Sequence, residues 1–222
     1  MNLLAVDTSG KITGIALFKS GECIGEISLV LGKGRDARLS SLVKFLLSEC
    51  GMDFRQLDAA AFSAGPGSFT GLRVGAAYTK GVCFKLGIPL TAVNSLETAA
   101  YSAGFSEKLI VPLTIMKGGE VYFAAFKWEA GSLVRKMQDD YCKVQNIKDI
   151  IREPVLITGE GALKHADTLR NCIPAEYLSL PEILNPQVKA VGVLAARQLK
   201  EGRLQEIRGL EPNYLQPFPR NV

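Results

Sequence analysis

The chain has 222 residues, of which 47% are hydrophobic and 22% are charged, a composition that allows a sizeable core and indicates no disordered tract. The formal net charge of +4 is too small to build the phosphate-binding stripe of a strongly basic nucleic-acid-binding protein. The five cysteines are scattered and never form C-x-x-C, which argues against a disulfide framework or a structural zinc site. The sequence starts on a strand pattern instead of a signal peptide and lacks a long apolar run, so we expect a cytoplasmic protein without a membrane span.

The first half of the chain predicts a meander of three strands followed by alternating helices and strands. Short apolar runs bounded by turn residues predict the strands, and apolar residues three and four apart predict the helices. In chain order these are strands Leu3–Val6, Gly14–Phe18 and Cys23–Val30, helix Ala37–Cys50, strand Ala59–Phe62, helix Leu72–Leu86, strand Leu90–Val93 and helix Ser95–Ala103.

The second half predicts the same order of elements, although no repeat of sequence is visible. Its elements are strands Leu109–Ile115, Val121–Phe126 and Ser132–Met137, helix Asn146–Ile151, strand Pro154–Thr158, helix Gly161–Cys172, strand Tyr177–Leu178 and helix Pro186–Lys200. We therefore predict an α/β fold of two ribonuclease H-like lobes, residues 1–104 and 105–222, with mixed sheets flanked by helices. Two such lobes side by side are the architecture of the actin-like ATPase superfamily.

Three turns are candidates for binding a nucleotide. Asp7-Thr8-Ser9 follows the first strand, where backbone N–H groups could hold an anion, although a hairpin turn closed by the Asp7 side chain explains the same residues. The loop Gly65–Gly71 precedes a helix but matches neither standard phosphate-loop spacing. Gly159 and Gly161 follow a strand of the second half, where two-lobed ATPases contact adenosine, and could equally form an ordinary strand-to-helix turn.

The helix after the glycine-rich loop is apolar on nearly all sides. One face carries Leu72, Ala76, Thr79, Cys83 and Leu86, and most of the remaining surface carries Val74, Ala77, Tyr78, Gly81 and Phe84. Such a helix must be covered on both sides. One side can face the sheet, and the other can face either the preceding helix, whose Phe45 lies off its own apolar stripe, or a second subunit.

His165 is the only histidine of the chain. A hydrolytic zinc site usually takes three protein ligands, at least two of them histidines, so we predict no metal site. The G-x-S-x-G turn of a Ser-His-Asp hydrolase is also missing, and we interpret His165 as a surface residue early in a helix.

Five segments carry a family resemblance, and the glycine-proline motif among them, Ala64–Gly75, is specific at its full length. They are Leu4–Ser9, Ala64–Gly75, Asn94–Glu97, Gly119–Tyr122 and Glu211–Leu215. Together they resemble the TsaB (YeaZ) family of the bacterial tRNA threonylcarbamoyladenosine machinery, densely over about the first 100 residues and less densely afterwards. The resemblance implies the actin-like fold and a glycoprotease-like subunit without catalytic residues. In agreement, Arg35–Leu47 lacks the histidine pair of the related catalytic subunit.

The resemblance also implies partners. We expect pairing with a TsaD-type transferase through helices of the first lobe, a TsaE-type ATPase as a further partner, a functional link to a TsaC-type synthase, and tRNA, modified at N6 of adenine 37, as the substrate of the complex. Alone, the chain should form a homodimer. ATP or ADP with Mg²⁺, if bound at all, is expected at the interface of the complex. The predicted partner-binding residues are Leu39, Leu42, Leu46, Arg73, Val74, Ala77 and Tyr78.

The main rival hypothesis is an ATPase or small-molecule kinase of the same superfamily. It would use Asp7, the Gly65–Gly71 loop and the turn Gly159–Gly161. A metalloprotease is the second rival, and a single histidine disfavours it.

Overall fold

The computed structural model describes residues 1–31, 35–185, 187–203, 206, 209–213 and 215, with 35–37 described by their backbone alone. The first sheet has five strands in the order β3-β2-β1-β4-β5. Strands β1 to β3 form an antiparallel meander, and β4 and β5 are added in parallel to β1. The strands are β1 Asn2–Asp7, β2 Ile12–Lys19, β3 Glu22–Val30, β4 Ala59–Gly65 and β5 Leu90–Asn94.

The second sheet repeats the first, with the order β10-β9-β6-β7-β8. Here β6 to β8 form the meander, and β9 and β10 are the parallel additions. The strands are β6 Leu109–Ile115, β7 Glu120–Glu129, β8 Ser132–Lys143, β9 Val155–Thr158 and β10 Leu178–Ser179. The predicted fold of two duplicated mixed sheets is therefore confirmed.

Helices flank both sheets. The α-helices are α1 Arg35–Glu49, α2 Phe69–Leu86, α3 Ser95–Ser102, α4 Glu160–Lys164, α5 Ala166–Cys172 and α6 Val188–Lys200, and short 3₁₀ turns span Phe54–Gln56, Lys117–Gly119 and Val144–Ile150. The prediction of one helix over Gly161–Cys172 is wrong, because the backbone of His165, at φ −111° and ψ 21°, leaves the helical range and separates α4 from α5. Strand β8 also continues to Lys143, beyond the predicted end at Met137.

Each sheet is completed by a helix from the other half of the chain. Helix α6 lies on β1, β2, β4 and β5, so that Val188 and Val191 share one core with Leu3 and Ala5. Helix α3 packs on β6 and β7, with Leu96 in the core of the second sheet. Residues 1–104 hold the first sheet and residues 105–222 the second, while α3 and α6 each pack on the sheet of the other half.

The last described segment returns to the first lobe. The Asn213 N–H donates to the Ala64 carbonyl over 2.7 Å, and Leu210 packs against the core between the first sheet and helices α1 and α2. Part of the Glu211–Leu215 motif is therefore explained by its contact with the end of β4. Within the part of the chain that the structure describes, we find no helix of the length and apolar character needed to cross a bilayer.

Candidate functional site

The glycine-rich loop uses its own amides inside the protein. Ser68 N–H donates to the Ser9 carbonyl over 2.7 Å, and Gly65 N–H donates to Ser95 Oγ over 2.9 Å. Gly71 N–H donates to Ser68 Oγ over 3.3 Å, so Ser68 caps the start of α2. A phosphate loop needs several free amides that converge on an anion. These three amides are already paired within the protein and are not available to an anion.

The glycines of this loop and of α2 instead permit close packing on the turn after β1. A Cβ on Gly67 would overlap the Ser9 carbonyl, and a Cβ on Gly75 would overlap Thr8 Oγ1. Thr8 Oγ1 also donates to the Gly71 carbonyl over 2.6 Å. The start of α2 is therefore held directly against the turn, which explains why this helix tolerates a glycine in its interior.

Asp7 closes its own turn. Its side chain is 5% exposed, and its Oδ1 accepts hydrogen bonds from Ser9 N–H over 2.9 Å and from Ser9 Oγ over 2.7 Å. Burial raises the pKa of the Asp7 carboxyl above its ordinary value, and the two bonds from Ser9 partly oppose that rise. This arrangement is the hairpin-turn alternative considered for Asp7-Thr8-Ser9.

Two of the five predicted nucleotide residues, Asp7 and Ser9, line the narrow cleft between the lobes, whereas Thr8, Gly159 and Gly161 do not. Asp7 and Ser9 of the first lobe face Glu160 of the second, and Glu160 Oε2 accepts a hydrogen bond from Lys11 N–H over 3.0 Å. The cavity between them has a volume of about 30 Å³. Pockets for drug-sized ligands measure roughly 300 Å³ or more, so with the lobes in this arrangement the cavity is too small for a nucleotide.

Gly159 and Gly161 are explained by packing. A Cβ on Gly159, which has a φ of 84°, would lie 2.6 Å from the Leu113 carbonyl oxygen. A Cβ on Gly161 would lie 2.7 Å from Leu113 Cβ. Both glycines let the start of α4 press onto β6, and they place Glu160 between them.

The described residues contain no candidate metal centre. No three of their His, Cys, Asp or Glu side chains are grouped closely enough to hold an ion. His165 lies at the break between α4 and α5, not early in a continuous helix as expected. It is half-buried, and this loss of solvent lowers the pKa of its imidazole.

The Asn94–Glu97 motif fixes the start of α3. Asn94 Oδ1 accepts a hydrogen bond from Glu97 N–H over 2.9 Å, and Asn94 Nδ2 donates to Asp139 of β8. Ser95 Oγ lies 2.8 Å from Ser63 Oγ. Burial raises the pKa of the Glu97 carboxyl. The motif thus joins β4, α3 and the second sheet, a structural role that sequence spacing did not reveal.

The outer face of α2 is the opposite of its inner face. Arg73, Ala77, Gly81 and Phe84 are exposed along it, and Phe84 is 75% exposed. A Cβ on Gly81 would meet nothing within 4 Å. On the neighbouring α1, Phe45 is 57% exposed. The two helices therefore present an apolar surface that the described part of the chain leaves open.

An apolar groove lies on this surface, with a volume of about 520 Å³. Burial in its wall raises the pKa of Tyr78 to about 12. The groove is lined by Leu39, Phe69, Thr70, Arg73, Val74, Ala77 and Tyr78. The guanidinium of Arg73 lies 4.1 Å from the centre of the Phe69 ring.

The predicted partner-binding residues divide into two groups. Arg73 and Ala77 are exposed, and the half-buried ones are Leu42, Val74 and Tyr78. By contrast, Leu39 is 1% exposed and Leu46 is 5% exposed, because both point into the core between α1 and the first sheet. The structure therefore does not place Leu46 at the surface, and Leu39 contributes only a buried wall to the groove.

The predicted set also omits two surface residues, Gly81 and Phe84. They follow Ala77 at helical spacing, four and then three residues later, and so share its face. That helical spacing in the sequence could have added both residues to the predicted surface.

The duplicated sheets, the narrow cleft and the open helix face define a two-lobed protein of actin-like fold. A family model described as TsaD, tRNA N6-adenosine threonylcarbamoyltransferase, matches residues 33–205. The tRNA threonylcarbamoyladenosine biosynthesis protein TsaB of Bacillus subtilis (strain 168) is 30% identical to this chain, over 97% of it and 94% of the relative. The chain therefore belongs to the TsaB family, and the resemblance drawn from the motifs is confirmed.

Solved structures agree on the fold. YeaZ from Pseudomonas aeruginosa superposes with a TM-score of 0.83 at 24% identity, covering 96% of this chain and 99% of that one. The (R)-2-hydroxyglutaryl-CoA dehydratase component A of Acidaminococcus fermentans superposes with a TM-score of 0.53 at 10% identity, covering 90% and 99%.

Proposed function

We propose that this chain is a non-catalytic subunit that pairs with a TsaD-type transferase in the threonylcarbamoylation of adenine 37 of tRNA. Membership of the TsaB family supplies the pathway. The pairing surface is the outer face of α1 and α2, around Arg73, Ala77 and Phe84.

The observation that carries the proposed surface is Gly81. A glycine inside a helix costs about 1 kcal/mol relative to alanine. Gly75 is compensated by its contact with Thr8, but no described residue comes within 4 Å of a Cβ placed on Gly81. A helix from another chain, approaching closely at Ala77 and Gly81, would explain the missing side chain and would cover Phe45 and Phe84.

We expect the same surface to serve in self-association as well. A specific interface buries on the order of 1,600 Å² in total. Without its partner, the chain should pair with a second copy about a two-fold axis, because the same face then meets itself. We include a TsaE-type ATPase, a TsaC-type synthase and tRNA in the proposed cytoplasmic system as participants in the reaction of the complex, not as ligands of this face.

The experiment is sedimentation of the chain with the TsaD-type transferase of the same genome. Ala77→Glu places a charge in the centre of the surface and should abolish both pairing and self-association. The control is Ala175→Glu, the same substitution at an exposed alanine of the second lobe, which should leave both unchanged. Undiminished pairing of the Ala77→Glu variant would contradict the proposed surface.

The rival nucleotide-binding function stays a prediction with its own test. Calorimetry of the isolated chain with Mg²⁺ and ATP should give no heat if the cleft of about 30 Å³ remains closed. Saturable binding by the isolated chain would favour the ATPase or kinase. Nucleotide bound only in the presence of the transferase would instead support a site at the interface of the complex.

A further inference from the structure

Glu160 crosses the cleft and contacts the backbone of the opposite lobe. Its Oε2 accepts the Lys11 N–H over 3.0 Å, a bond between residues 149 positions apart. A Cβ on Gly10 would lie 3.3 Å from the same oxygen. The carboxylate reaches the turn so closely because Gly10 has no side chain.

The direction of Glu160 is set by the glycines on either side of it. Gly159 and Gly161 both lie against Leu113, where neither position has room for a side chain. The first residue of α4 therefore has a fixed place over the end of β6. A shift of the second sheet relative to the first lobe would therefore change the distance between Glu160 and Lys11.

The opposite side of the same turn is tied to α2. The Ser9 carbonyl accepts from Ser68 N–H over 2.7 Å, and Thr8 Oγ1 donates to the Gly71 carbonyl over 2.6 Å. A continuous series of hydrogen bonds and covalent bonds thus runs from Glu160 through residues 8–11 to the first turn of α2.

We propose that Glu160 is an interlobe clasp that couples the position of the second lobe to the start of α2, and so to the proposed pairing surface. Coupling between two sites requires an element whose arrangement both sites influence. The turn at residues 8–11 is that element, because each of its two sides is bonded to a different lobe. The Glu160 carboxylate also lies beside Asp7 in the cleft, and the two acidic side chains disfavour phosphate there.

The local part of the proposal is tested by amide hydrogen exchange of the full chain. Glu160→Ala should accelerate exchange at Lys11 and at Ser68 by roughly tenfold, the size expected when a hydrogen bond to a charged group is lost. Glu160→Gln, which keeps an oxygen acceptor, should have a smaller effect. Glu153→Ala is the matched control, because Glu153 is an exposed second-lobe glutamate paired with Lys127 over 2.7 Å, and it should change neither amide.

Each other outcome counts against the proposal. Unchanged exchange at Lys11 would mean that Glu160 does not clasp the lobes. Faster exchange at Lys11 alone would mean that the clasp does not reach α2. Equal acceleration at Ala60, whose N–H is bonded to the Pro89 carbonyl inside the first lobe, would indicate general destabilisation instead of coupling.

The consequence for pairing rests on the proposed function and is tested separately. In sedimentation with the TsaD-type transferase, Glu160→Ala should weaken pairing several-fold although it lies outside the pairing surface. If the unmodified chain does not pair, the proposed function fails, and the exchange experiment still decides whether the clasp exists. If the unmodified chain pairs and the variant pairs equally well, the coupling fails and the proposed function stands.

Discussion

The two faces of α2 carry glycines for opposite reasons. Gly75 faces inward and is in contact with Thr8, so its missing side chain is explained by the chain itself. Gly81 faces outward into open space, although it lies in the same helix and carries the same cost in helix stability. The comparison teaches that a glycine in a helix is evidence for a neighbour, and that the structure of one chain can show that the neighbour lies elsewhere.

The largest change in stability should come from adding a side chain on the inner face of α2. Gly75→Ala would place its Cβ on Thr8 Oγ1 and should lower the free energy of unfolding by about 2 kcal/mol, a typical cost of overpacking. Denaturant unfolding measures the change. Thr8→Ala removes the overlapping oxygen. The double variant should therefore lose less free energy of unfolding than the sum of the losses in the two single variants. Simple additivity would mean that Thr8 is not the obstacle.

A smaller effect of opposite sign should follow at the outer face. Gly81→Ala should raise the free energy of unfolding of the isolated chain by up to about 1 kcal/mol, because the new methyl group meets nothing. Unfolding must be measured at concentrations where the chain is monomeric. The same variant should weaken pairing in sedimentation, since the methyl group keeps a neighbouring helix away. Pairing that stays unchanged would remove Gly81 from the surface.

The smallest effect should appear at the turn that the inner face contacts. Burial raises the pKa of Asp7 above 3.8, so the folded state holds this proton more tightly than the unfolded state does. The wild-type chain therefore loses stability as pH rises from about 3.8 through the raised pKa. Asp7→Asn removes this loss and keeps an acceptor for Ser9, so we expect a gain of about 1 kcal/mol or less at pH 7.

The pH dependence of that gain is its control. The difference between the Asp7→Asn variant and the wild type should grow as pH rises and become constant above the raised pKa. Chemical unfolding at several pH values measures it. A difference that shrinks with rising pH would mean that the Ser9 hydrogen bonds to the charged carboxylate outweigh its burial.

Local sequence patterns were sufficient for the sheets. The run Leu3–Val6 and its counterparts are apolar because these strands are covered on both faces, and such runs are visible without a structure. The split at His165 was not visible, because the residues on either side keep helical spacing. The pairing of α3 and α6 with opposite sheets was also hidden, since periodicity shows that a helix has an apolar face but not which sheet covers it.

For the candidate site, too, the sequence showed an apolar helix face but not what covers it. The stripe of Leu39, Leu42 and Leu46 predicted an apolar face of α1, but spacing alone did not separate a face for the core from a face for a partner. The structure assigns Leu39 and Leu46 to the core. Glu160 was hidden for a different reason, because its contact with Lys11 joins distant parts of the chain and depends on how the two lobes are placed.

The placement of α6 has a consequence for how the protein is made. Strands β1 and β4 are among the first residues synthesised, yet one face of their sheet is covered by residues 188–200. Domains generally fold as units while the chain emerges from the ribosome. Here the first lobe stays incomplete until most of the chain has been translated, so truncated products that lack α6 leave Leu3 and Ala5 uncovered.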